Sequence, residues 1–458
     1  MGFMLYIKNK RFSLMLVLWI STTGYSQQMV SHPLSSFGVG EYHLHAHGIY
    51  AALGESAIAG IDSAQLNYFN PASYANLSPG ITLFSVGINQ RVSQFKQNDQ
   101  QYFKPNGNLN HLALGFRIKN NMGLCFGIKP FSAKGYYLSE RMFTGVDSLL
   151  NTYEGNGYIN EPFLGFSFAP IHTKHSYLGL GVNGSFLFGY VDNTRTSKLI
   201  QGTSNSGGIS VNTLRLNAPK VEFGAAFTQD LGPRYHIKLG LSYTPGLSYR
   251  GNLEETFYSA TNLSNVQQWD TLFTTSSDGK VIQASVWSLG AVQHFRLKDA
   301  VRKNKTLHPD LMLHINYSRS GSMGYSFPGT SLAAVGVNAL ASYRFGAGVQ
   351  YSPERKMYEN VATLGFLDKF HYRAGFYFGN LPYQDASGNG FKERAVTLGL
   401  GIPILVQQSL SSVNVSVVLG ERGTGIQNGL QEQFVSIQLG TILSPSVFER
   451  WFRKRKMD

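Results

Sequence analysis

The chain has 458 residues, of which 50 are glycine, 13% are aromatic and only 14% are charged, against roughly 25% charged in an ordinary soluble domain. Its formal net charge of +13 gathers near the start, in residues 296–305 and in residues 450–456; this argues against nucleic-acid binding, which needs basic groups on one face among base-stacking aromatics, and fits solvated segments near anionic headgroups. The single cysteine, Cys125, excludes an internal disulfide and a cysteine metal cluster.

Residues 1–26 read as an export signal. Lys8, Lys10 and Arg11 precede the apolar run 12–20, and Gly24 and Ser26 set a cleavage site before Gln27. The run is too short to span a bilayer, and no later stretch is long enough for a transmembrane helix.

Residues 27–79 read as a loop-rich plug. His43, His45 and His47 alternate, so an extended backbone puts three imidazoles on one face. That makes a weak zinc or copper candidate without a fourth ligand, and a solvated histidine strip is the simpler reading. The small residues of 54–60 suit close backbone packing. Asn70, Pro71 and Ala72 are the expected anchor: Pro71 fixes its own φ and pushes Asn70 toward an extended conformation. The Asn70 amide can then bond backbone groups where the plug meets the wall. An ordinary turn leading into a strand is the alternative.

From residue 80 to 444 the period is two. Leu112, Leu114 and Phe116 alternate with His111, Ala113 and Gly115; Leu124, Phe126 and Ile128 alternate with Cys125, Gly127 and Lys129. About fourteen such segments are expected, near 80–95, 108–119, 122–138, 158–170, 175–190, 210–229, 234–250, 280–297, 308–323, 337–353, 367–382, 391–404, 411–421 and 431–444. The even number suits an all-β, transmembrane antiparallel barrel with apolar residues toward lipid. Short links at 119–121, 172–174 and 230–233 alternate with polar stretches at 97–107, 139–157, 192–208 and 251–280, read as long outer loops; 298–309 and 353–361 break that beat. Tyr136, Tyr137, Tyr158, Tyr190, Tyr243, Tyr249, Trp287, Tyr351 and Tyr377 near strand ends are candidates for interfacial girdles. Pro130 interrupts the third segment. A closed barrel has no edge to hold a proline, so a local break is expected there, followed by Phe131 and Ser132. A bulge beyond the lipid band is the plainer alternative. Residues 445–458 form a basic tail, expected in the periplasm.

No nucleophile elbow, phosphate loop or zinc-protease motif is present, so the chain is read as a non-enzyme without a cofactor. A serine triad assembled from distant strands is the remaining enzymatic possibility.

The segments NPASYANL (70–77), LGLSYTPGLSYRG (239–251), SFGVGEY (36–42), NVSVVLGERGTGIQNGLQEQFVSIQLG (414–440) and RWFRKRKMD (450–458) resemble the outer-membrane long-chain fatty-acid and aromatic-hydrocarbon transporter family, in its Bacteroidetes branch. The resemblance implies a 14-stranded barrel with an N-terminal luminal hatch and a kinked third strand opening the wall sideways at Pro130. It implies passive uptake of a hydrophobic small-molecule ligand, with outer-membrane lipid around the wall. The alternative is an adaptor or shuttle barrel binding secretion-system proteins, as in type IX secretion. The tail departs from barrels that end in a terminal aromatic, and no luminal contact residues carry over.

Overall fold

A computed structural model describes residues 32–445, apart from 37, 43–45, 47, 98–99, 146, 201–204, 303–304, 329–339, 356–363, 386, 405–410 and 427–428. The expected signal, the three histidines and almost all of the basic tail lie outside the described residues.

Fourteen antiparallel strands close into one barrel. They are β1 Thr82–Gln97, β2 Gln100–Lys119, β3 Met122–Phe143, β4 Ser148–His172, β5 Ser176–Leu199 and β6 Gly207–Asp230. Then come β7 (Tyr235–Thr244 and Leu247–Ala260), β8 (Trp269–Gln283 and Val286–Arg296) and β9 (Asp310–Ser320 and Gly324–Ser326), each interrupted once. The ring ends with β10 Ser342–Ser352, β11 His371–Gln384, β12 Gly390–Pro403, β13 Ser412–Gly423 and β14 Gln431–Leu443. Sequence neighbours pair around the ring, and β1 pairs with β14 from Phe84–Leu443 to Lys96–Gln431, which seals it.

The alternation falls as read. Ala113 and Cys125 are fully buried, whereas Leu112 and Phe126 are 40% and 47% exposed. A soluble sandwich would bury those apolar side chains. Here they form an outward band suited to lipid, around an interior of small and polar residues.

The polar stretches read as long outer loops are a different matter. Most of their length is strand: β2 to β6 run 20 to 25 residues each, where about 9–11 suffice to cross a bilayer. The extra length projects as ribbons from one end, here the loop end, which carries links 98–99, 144–147 and 261–268. The opposite, turn end carries links 120–121, 173–175 and 404–411. Outside lipid neither face must be apolar, so the ribbons lose the alternation that marks a strand. Link length therefore does not alternate: 297–309 and 353–370 at the turn end are longer than 144–147. The first of these holds its own small hairpin, Ala300–Arg302 with Lys305–Leu307.

The girdle residues also divide. Tyr137, Tyr158, Tyr190, Tyr243 and Tyr351 point outward, but Tyr136, Tyr249 and Tyr377 are buried in the lumen. Period two puts Tyr136 and Tyr137 on opposite faces, so both cannot belong to the girdle.

Candidate functional site: the filled lumen and the β2–β3 seam

The described residues between 32 and 81 pack against inner faces of the wall. The short 3-10 helix Pro71–Asn76 packs on β2 to β6, and Ala51–Leu53 packs on β10 to β13, on the far side. Contact with both sides of the wall requires a path across the lumen. The wall accommodates that path with inward-facing glycines. An added Cβ at Gly348 on β10 would lie 2.6 Å from Leu53 Cα, one at Gly240 on β7 2.6 Å from the Ile58 carbonyl carbon, and one at Gly179 on β5 2.6 Å from the Ala72 oxygen. Similar close approaches hold at Gly224 on β6 (Pro71 Cδ, 2.8 Å), Gly290 on β8 (Ala59 N, 2.8 Å) and Gly440 on β14 (Gly48 Cα, 2.7 Å). Real Cβ atoms do not approach that closely, so the small inner face of the wall is a socket for this segment.

Asn70, Pro71 and Ala72 sit at its centre. Asn70 is extended, at φ −134° and ψ 102°, and Pro71 opens the 3-10 helix. The Asn70 side chain accepts from Ala72 N (3.1 Å) and donates to Ile58 O (2.9 Å) and to Ala225 O of β6 (3.0 Å). The Tyr177 hydroxyl of β5 donates to Ala72 O. Tyr74 donates to Asn183 of β5 at 2.9 Å. One asparagine thus joins two turns of the inner segment to the wall.

On the other side the joints are ionic. Arg422 of β13 meets Glu41 at 2.6 Å and Glu393 of β12 at 3.1 Å. Arg344 of β10 meets Glu55 at 2.7 Å and Glu393 at 3.1 Å. Glu432 of β14 meets Arg91 of β1 at 2.8 Å and His32 at 3.0 Å. His32, Glu41 and Glu55 come from the inner segment. Sequence reasoning missed this cluster, because its members are spread from residue 32 to residue 432. The available signal was the single charge left on the small-residue face of strands such as β12 and β13. A separate group joins Glu161 of β4 to Lys220 of β6 at 2.8 Å and Lys129 of β3 at 3.6 Å. Among the described residues no group of three or more histidine, cysteine or acidic side chains converges as a metal site.

Pro130 lies where the wall changes. The β2–β3 ladder runs from Lys119–Met122 to Leu112–Ile128 and stops. Beyond it the described residues of β2 and β3 no longer pair with each other: β2 continues on β1, and β3 on β4. The β3–β4 register shifts between Pro130 and Ser132, so Phe131 is the extra residue of a bulge. The freed β3 edge is taken up from inside. A two-residue strand, Glu41–Tyr42, pairs with Ala133 and Ser132. The Ser132 hydroxyl donates to Val39 O at 2.9 Å, and His32 N donates to Gly135 O at 3.0 Å. Phe131 packs edge-on to Tyr42, with ring centroids 5.4 Å apart. Behind the seam lies a cavity of about 60 Å³, lined by Asn106, Asn108, Asn110, Pro130, Ser132 and charged neighbours. A second, of about 220 Å³, reaches from Pro130 and Phe131 to Lys220, Ser242 and Met323.

Solved structures share this architecture. A TodX deltaS2S3 mutant, described as a monoaromatic hydrocarbon channel, matches with TM-score 0.53 at 13% identity, over 87% of this chain and 99% of its own. A Pseudomonas aeruginosa FadL homologue matches with TM-score 0.52 at 11% identity, over 88% and 98%. The Ralstonia pickettii toluene transporter TbuX matches with TM-score 0.50 at 15% identity, over 87% and 98%. At these identities the likeness is one of fold: a FadL-like, 14-stranded, integral outer-membrane barrel. No curated protein matches the sequence. The BamG family model matches residues 8–458, nearly the whole chain, and the protein belongs to the BamG family.

Proposed function

We propose that the barrel passes small hydrophobic molecules, of the fatty-acid or aromatic-hydrocarbon class, from the loop end into the membrane through the β2–β3 seam. Residues 27–79 act as the plug, behind an export signal at 1–26 and ahead of a periplasmic tail at 445–458. The observation that carries this reading is the halt of the β2–β3 ladder at Leu112–Ile128 while both strands continue. A closed barrel that needed only rigidity would pair those edges. A ligand leaving sideways never crosses the water layer, which would cost about 0.8 kcal/mol per exposed methylene. The neighbours described as a toluene transporter and a monoaromatic hydrocarbon channel are compatible with this class of cargo. Passage requires Glu41–Tyr42 and the residues beside them to leave the β3 edge. Pro130→Val supplies the missing N–H and favours a regular strand. It is expected to slow uptake of a fluorescent hydrophobic probe into proteoliposomes while leaving the yield of folded barrel unchanged. Uptake equal to wild type removes the lateral route.

An adaptor role is the second reading, and the ribbons favour it. Phe103, Phe143 and Leu272 are 66%, 68% and 63% exposed on strand lengths that exceed a bilayer span. Exposed apolar groups of this kind mark contact surfaces. Affinity purification from outer membranes separates the two readings. Stoichiometric protein partners favour the adaptor, and co-purifying lipid without partners favours passage.

A further inference from the structure

A third cavity, of about 250 Å³, lies at the turn end between the inner segment and the wall from β7 to β13. We propose that it is a binding site for a small oxyanion, a phosphate or carboxylate group, held by Arg373 and Lys238 with His314 beside them. It lies apart from the seam and does not rest on lateral passage.

Charge carries the argument. Arg91, Arg344 and Arg422 each meet a carboxylate in the lumen. Arg373 of β11 is as buried, 6% exposed, yet among the described residues its guanidinium donates to neutral amide oxygens: Nε to Gln350 at 2.7 Å and Nη1 to Asn414 at 2.9 Å. A buried cation is costly unless it is paired, and Arg373 has no carboxylate within ion-pair distance among the described residues. Lys238 of β7 faces the same cavity, and its Nζ donates to a backbone oxygen, that of Ile61, at 2.6 Å. His314 of β9 is 6% exposed and lines the same cavity. Register aligns these groups: Lys238 pairs with Val292 and Val292 with His314, while Arg373 pairs with Gln350.

Two carboxylates line the cavity. Asp310 is already held by His294 at 3.0 Å and Arg355 at 3.5 Å. Asp62, whose Oδ1 accepts from Ala64 N at 2.8 Å, is left to face Arg373 and Lys238. One carboxylate against two cations leaves positive charge for an incoming anion. A guanidinium matches an oxyanion in two-pronged geometry, and a lysine supplies a point charge beside it. The cavity has room for several waters. Its lining includes Pro403 at the end of β12 and Ser411 before β13, which sets it at the turn end.

Titration calorimetry on the full-length barrel in neutral detergent tests this, with sodium phosphate, octanoate and octanol as separate titrants. Phosphate or octanoate is expected to bind. Arg373→Gln and Lys238→Met are each expected to weaken binding at least about tenfold, the effect of losing one charge-assisted contact. Binding of both titrants identifies a general oxyanion site. Octanoate binding without phosphate binding assigns the anion to the head of an amphiphile. No anion binding to the wild-type barrel overturns the proposal, even where a variant fails to fold. Octanol binding as tightly as octanoate, or unchanged binding in both variants, overturns it as well.

Discussion

Arg422 touches two carboxylates of the wall and one of the inner segment, with Glu432 the farthest at 3.8 Å. Its removal would leave Glu41, Glu393 and Glu432 short of a cation in a buried setting. Arg422→Met is therefore expected to destabilise the folded barrel by about 3–5 kcal/mol, the usual cost of breaking a buried pair from one side. Unfolding in urea, followed by the mobility difference between heated and unheated samples, measures it. Glu41 adds a pH dependence. Burial works against its ionised form, but Arg422, with His32 and Arg91, outweighs burial and holds the carboxyl below its usual range. A depressed carboxylate contributes its stability above the unfolded value and loses it as pH falls through the folded one. The inner segment should stay fixed at neutral pH and loosen below about pH 4. Single-barrel conductance that rises on acidification in wild type, but not in Glu41→Gln, is the expected record. Gly348 tests the socket by shape alone. Gly348→Val places atoms on the Leu53 backbone and is expected to cost about 1–3 kcal/mol through overpacking, with conductance raised at neutral pH.

At the scale of elements, the strands were legible because lipid imposes a pattern. Leu112, Leu114 and Phe116 of β2 share the outward face, and a period of two survives without any partner being known. The ribbons were not legible for the same reason. Most described residues of 139–157 and 251–280 are at least partly exposed, with scattered buried ones such as Leu253, so no regular apolar face marks them and pairing leaves no trace in residue order. Shortening the β3–β4 ribbon by residues 139–152 is accordingly expected to leave the barrel folded, with heat-dependent mobility retained. The sequence expects a break at Pro130, and the β2–β3 ladder ends two residues before it while Pro130 still pairs with Asn160 of β4; that Glu41–Tyr42 take up the freed edge had no local signal, because nothing in residue order links residues 41 and 133. Glycine misled in a different way. The glycines looked like a generic small inner face, whereas Gly179, Gly240 and Gly348 each clear one backbone position of the inner segment. Cysteine labelling of intact cells fixes which end faces out: Ser139→Cys and Ser259→Cys should react with an impermeant maleimide, and Asn121→Cys should not. The reverse pattern would invert the barrel.

For the whole molecule, the question is what the inner segment prevents. Eight strands leave room only for side chains or one small ligand, and bore grows with strand number. Fourteen strands around an empty lumen would leak. Deleting residues 27–60 removes the ionic joints of Glu41 and Glu55 and the whole 3-10 turn Ala51–Leu53. It leaves Asn70 and its wall contacts in place, so the barrel should still insert. A large, steady conductance in planar bilayers is expected. A mutant that inserts normally but stays closed would show that the lumen is sealed by the wall itself.

The ring closes between the first and last strands of the chain, and the inner segment runs directly into β1. That ordering has a kinetic consequence. Chain length is no obstacle to the final pairing, because each doubling of a loop adds only about 0.6 kcal/mol of closure entropy. Timing is the obstacle. The segment precedes β1 in the chain, yet its ionic partners Arg344, Arg422 and Glu432 lie on β10, β13 and β14, among the last strands in sequence order. Until β14 arrives, His32 has no Glu432 to meet and β1 presents an open edge. An assembly intermediate lacking β14 should therefore hold the segment ahead of β1 in a protease-sensitive form, and the same step that seals the wall should protect it.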